Sequence, residues 1–80
     1  MITKYVCEIP VTIYLINKYI SYKFEMGDMI YVKFLSEGSY GKKYFLSLNN
    51  SYSNEGIIFH EDLHKYFQDY REYTINKILK

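Results

Sequence analysis

From Tyr5 to Leu15 every odd position is apolar: Tyr5, Cys7, Ile9, Val11, Ile13 and Leu15. A period of two is the spacing of a strand with one buried face. The same alternation returns in Ile20, Tyr22, Phe24 and Met26, in Ile30, Val32 and Phe34, and in Tyr44, Leu46 and Leu48. It reads as one long first strand over Tyr5–Leu15, then three shorter strands and a brief fifth over Gly56–Phe59. Pro10 lacks an N–H and marks an edge or a bulge in the first strand. Ile16-Asn17-Lys18 reads as a turn, and Gly27-Asp28 as a turn that needs a positive φ at the glycine. Phe24, Ile30, Val32 and Leu46 are the expected core.

Between the strands lie two predicted loops, Ser36–Gly41 and Asn49–Gly56, rich in glycine, serine and asparagine. Beyond them the period changes. Leu63, Tyr66, Phe67, Tyr70, Tyr73, Ile78 and Leu79 recur at three and four, which predicts a helix from about Glu61 to Leu79 with a break near Gln68-Asp69. Glu61 and Asp62 suit a helix N-terminus, and Lys77 and Lys80 a C-terminus. The chain has 80 residues, enough for one domain over 1–80. A chain this short buries only about 60–65% of its surface. The expected fold is mainly β, with about five short antiparallel strands and a C-terminal helix.

Tyr22-Lys23-Phe24-Glu25-Met26-Gly27-Asp28-Met29-Ile30-Tyr31-Val32 resembles the central part of Src-homology-3-like barrels. There an aromatic strand meets a glycine–acid turn and a strand of the "IYV" type follows. Glu55-Gly56-Ile57-Ile58-Phe59 resembles the segment that opens the last part of that barrel. The likeness spans Ile20 to Leu63 and implies a small barrel. It does not imply polyproline binding, because the chain has no tryptophan and His60 stands where that family's proline would be.

His60-Glu61-Asp62-Leu63-His64 matches the H-E-x-x-H spacing of zinc peptidases. That chemistry needs a third protein ligand and a substrate cleft. Phe67 and Tyr70 hold the places of a longer motif. Glu72, eight residues past His64, would lie roughly 12 Å along one continuous helix. The favoured reading is therefore two surface histidines at the start of a helix, with no metal and no cofactor. His60 and His64 stay as minor metal candidates, and a zinc-dependent hydrolase through His60, Glu61 and His64 is the third functional reading.

Net charge is +1, so bulk electrostatics favours neither nucleic acid nor an anionic membrane. Lys42-Lys43-Tyr44-Phe45 interleaves base and aromatic, which makes a nucleic-acid-binding domain the second reading. Cys7 stands alone, as in a reducing compartment, and is expected to be buried and inert. No signal peptide or membrane span is legible, so the expected location is cytoplasmic. Eleven tyrosines exceed what a small core can hold. Tyr19, Tyr31 and Phe45 fall opposite the main apolar sets, and Tyr40 and Tyr52 fall in loops. The first reading is thus a noncatalytic binding protein that docks on another macromolecule, a protein partner, through Tyr31, Tyr40 and Tyr52. The outer helix face around His64, Gln68 and Arg71 is the reserve. Residues with A/T-rich codons dominate, which points to a low-GC genome and makes a phage or mobile-element inhibitor of a host protein one concrete form.

Overall fold

A computed structural model describes residues 1–50 and 55–78. Seven strands and two short helices follow in the order β1 (Ile2–Cys7), β2 (Val11–Leu15), β3 (Ile20–Phe24), β4 (Met29–Gly38), β5 (Gly41–Ser47), β6 (Gly56–Phe59), α1 (His60–Tyr66), β7 (Phe67–Asp69) and α2 (Tyr70–Ile78). Five strands form one antiparallel sheet in the order β6-β5-β4-β1-β7, and β2 and β3 form a separate hairpin. The fold is mainly β, as the alternation implies. It is not a closed barrel: β6 and β7 are the two edges of an open sheet.

The long first strand divides at Pro10. β1 pairs with β4, whereas β2 pairs with β3. At the corner, the Glu8 and Ile9 N–H groups both donate to the Tyr66 carbonyl, at 2.9 and 3.2 Å. Proline cannot donate, so the ladder stops there. Ile9 is half exposed for the same reason, although the alternation places it with the core.

The β2–β3 hairpin folds back over the sheet. Leu15 and Phe24 join Cys7, Ile30, Val32, Leu46, Ile58, Leu63 and Phe67 in one buried cluster. The four core positions expected from the sequence are all buried. Burying each of these side chains contributes about 1.5–3 kcal/mol before entropy is counted. Gly27 has φ +95 and its N–H donates to the Cys7 carbonyl at 2.9 Å. Asp28 N–H donates to the Glu25 carbonyl, and Glu25 N–H donates to Asp28 Oδ2. This turn ties the end of β3 to the end of β1 and delivers the chain into β4.

Ser36–Gly41 is not a loop. β4 continues to Gly38 past an irregularity between Phe34 and Ser36, and β5 begins at Gly41. Only Ser39 and Tyr40 turn the chain, because Gly41 adopts φ +91 and closes the hairpin tightly. Of the second expected loop, Asn49, Asn50 and Glu55 are described. Residues 51–54, and with them Tyr52, lie outside the described residues, as does Leu79.

The predicted tail helix is interrupted where expected. β7 pairs with β1 through Tyr5↔Asp69, Val6↔Gln68 and Cys7↔Phe67. Phe67 fills the core, and the pairing outweighs helix continuation. Asp69 Oδ1 then accepts the Arg71 N–H at 2.8 Å, which caps α2. Among the described residues, α2 buries none of its side chains.

Candidate docking surface

The tip of the β2–β3 hairpin carries the clearest local anomaly. Tyr19 has φ +54, the only positive φ at a residue other than glycine among those described. A bulky side chain in that region costs about 1–2 kcal/mol, and glycine or asparagine normally fills it. The geometry follows from the turn. Lys18 N–H donates to the Leu15 carbonyl at 3.0 Å, and Leu15 must pair with Ile20 five residues later. The chain must therefore reverse at Tyr19. The ring stands 81% exposed, and Tyr14, Ile16 and Ile20 around it are each close to half exposed.

This tip is held firmly from below. Glu55 is buried, and its carboxylate accepts the Leu48 N–H at 2.6 Å and pairs with Lys18 Nζ at 2.8 Å. Its carbonyl accepts the Asn17 N–H at 3.2 Å, and its own N–H donates to the Leu46 carbonyl at 2.8 Å. Gly56 lets Leu15 pack close, since a Cβ there would lie 3.1 Å from the Leu15 side chain. Between Val11 and Phe24 the hairpin carries Lys18 and Lys23 and no carboxylate. Lys18 pairs with Glu55 and Lys23 with Glu25 at 3.5 Å, so the result is an anchored and mainly apolar protrusion. The sequence places Tyr19 on an outward strand face but gives no sign of its backbone. The missed signal is "LINKYI", a turn without glycine flanked by isoleucines.

Tyr31 and Tyr40 do not share a patch. Tyr31 is half-buried on β4 opposite Lys4, whose Nζ lies 6.0 Å from the ring centroid. It lines a shallow groove of about 450 Å³ with Tyr22, Met29, Leu48 and Asn49. Tyr40 stands 91% exposed at the far hairpin tip, beside Phe59, Glu61 and Asp62. Gly38 lies seven residue steps along β4 from Tyr31, roughly 23 Å of strand. The lysine–aromatic run is likewise split by the pleat. Lys42 and Tyr44 face one side of β5 and Lys43 and Phe45 the other, and Lys42 lies opposite Glu37.

His60 opens α1, and Phe59 precedes it in extended backbone. The His60 and His64 rings lie 4.1 Å apart, and the Tyr44 hydroxyl lies 2.9 Å from His60 Nδ1. Burial, and then the neighbouring His60, push the His64 pKa down, while Glu72 opposes them. Glu72 is therefore not remote along one straight helix. β7 turns the chain so that Glu72 and His64 line the same cavity. Even so, no group of three His, Cys, Asp or Glu side chains that could hold a metal occurs among the described residues. Cys7 is buried, and burial, followed by the Asp28 charge, raises its pKa. Its thiol donates to the Ile9 carbonyl at 3.2 Å. Gln68 is half-buried on β7, and Arg71 is exposed on α2. No described helix is long and apolar enough to cross a membrane. Comparison with family models, curated proteins and solved structures finds no match to this chain.

Proposed function

We propose that this chain is a noncatalytic binding protein that docks on another protein through the tip of the β2–β3 hairpin. The observation that carries the reading is Tyr19. A tyrosine held at φ +54 and 81% exposed opposes folding and leaves apolar surface in water. The exposed ring leaves water when it enters a partner's pocket, and tyrosine is among the residues enriched at binding hot spots. Tyr14, Ile16 and Ile20 widen the contact. Lys18 and Lys23 are paired with Glu55 and Glu25, so the tip fits an apolar socket. A phage or mobile-element inhibitor of a host protein is one concrete form of such a molecule.

The Src-homology-3-like reading belongs to the same proposal. Its support is the Gly27-Asp28 turn ahead of β4, and β6 leading through a short helix into a last strand beside β1. Nucleic-acid binding through Lys42, Lys43, Tyr44 and Phe45 is weakened by their division between two faces. The zinc-hydrolase reading lacks a third ligand among the described residues.

A photoreactive phenylalanine analogue at position 19, with a second at position 40 as control, tests the proposal in cells that express the chain. Position 19 should give one discrete, protease-sensitive adduct, and position 40 none. An adduct at position 40 alone, or one sensitive to nuclease, would contradict it.

A further inference from the structure

His60 and His64 occupy successive turns of α1 and point to the same side, where both are exposed. Tetrahedral ligation at about 2.0–2.1 Å places two imidazole nitrogens roughly 3.3 Å apart. Rings with centroids 4.1 Å apart and planes at 50° reach that spacing by small side-chain rotations. One ring is already oriented. The Tyr44 hydroxyl and His60 Nδ1 are hydrogen-bonded at 2.9 Å, and in the tautomer that carries its proton on Nδ1 the Nε2 lone pair is free for a metal. Metal-binding histidines are held in this way, by a partner on the second nitrogen that fixes the tautomer and the ring plane. Tyr44 comes from β5, so the orienting group is set by the sheet. Tyr5 packs edge-on against His64 with centroids 6.0 Å apart and limits its swing. The Glu72 carboxylate on α2 adds negative charge near His64.

We infer that His60 and His64 form a two-imidazole chelate for a late first-row divalent cation, oriented by Tyr44 and completed by water. Imidazole donors select copper, nickel and zinc over magnesium and calcium. The site is independent of the hairpin tip and implies no hydrolysis.

Titration calorimetry of tag-free protein at pH 7.5 with zinc, nickel, copper and magnesium chlorides tests the inference. One zinc ion per chain should bind, copper should bind more tightly than zinc or nickel, and magnesium should not bind. His60→Ala and His64→Ala should each weaken zinc binding by more than about tenfold, with the melting temperature retained. Tyr44→Phe, which removes the orienting oxygen, should weaken it by about 10-fold or more. No saturable zinc binding, or binding unchanged in the doubly substituted His60→Ala, His64→Ala protein, would overturn the site. Unchanged affinity in Tyr44→Phe would overturn the orienting role.

Discussion

At the scale of single residues, two titrating groups give direct expectations. His64 has a pKa below its ordinary value because its ring is partly buried and faces His60. The unfolded chain then binds more protons than the folded one at mildly acidic pH. The His64 contribution is fully present above the ordinary histidine pKa of about 6.5, and it is lost as pH falls through the lower folded value. Urea midpoints should therefore decrease between about pH 7 and pH 5, and the His64→Gln protein should show a shallower decrease. Cys7 is the converse case, since burial favours the neutral thiol. Iodoacetamide at pH 8 should leave native Cys7 largely unmodified and should label it once the chain is unfolded. Rapid labelling of the folded protein would mean that the β1 end opens readily.

At the scale of elements, the two helices differ in what they contribute. α1 places Leu63 in the core, fully buried, so Leu63→Ala should cost about 2–5 kcal/mol in equilibrium unfolding. α2 buries none of its described side chains, and Ile75→Lys should change stability by no more than about 0.5 kcal/mol. Equal effects would place α2 against the core after all. This contrast was only half legible in the sequence. The three-and-four spacing runs through both helices, and its break near Gln68-Asp69 can be read. What cannot be read is that Phe67–Asp69 leaves the helix to pair with β1, because that pairing depends on a strand sixty residues earlier. The same limit explains the single strand expected over Tyr5–Leu15. Alternation records which side chains are apolar, and it continues through the corner at Pro10 although the partner strand changes from β4 to β3. The Gly27 turn and β6 were legible because glycine and a compact apolar run act locally. The loop expected at Ser36–Gly41 was too long because Gly41 closes a hairpin more tightly than polar composition suggests. For the candidate site, the sequence placed Tyr19 outward. Its positive φ comes from the Leu15↔Ile20 register, which composition does not encode.

At the scale of the whole molecule, an open five-stranded sheet with one hairpin laid over it makes a small shared core, so a central charge should be fatal. Val32 sits mid-sheet between Thr3 and Leu46, and Val32→Asp should abolish cooperative thermal unfolding. Glu55 joins hairpin to sheet. Glu55→Ala would leave the Leu48 N–H without its carboxylate and Lys18 without its partner, at a cost of about 1–3 kcal/mol. It should also loosen the hairpin tip, which amide exchange at Asn17 would detect. The proposed docking role depends on Tyr19. The most direct measurement is the Tyr19→Gly protein, followed for both unfolding free energy and affinity for the partner captured at position 19. Relief of the left-handed tyrosine should raise stability by up to about 1 kcal/mol, while loss of the ring should weaken binding by about 2 kcal/mol, roughly thirtyfold. A Tyr19→Gly protein that binds as tightly as the parent would contradict the docking role of the hairpin tip.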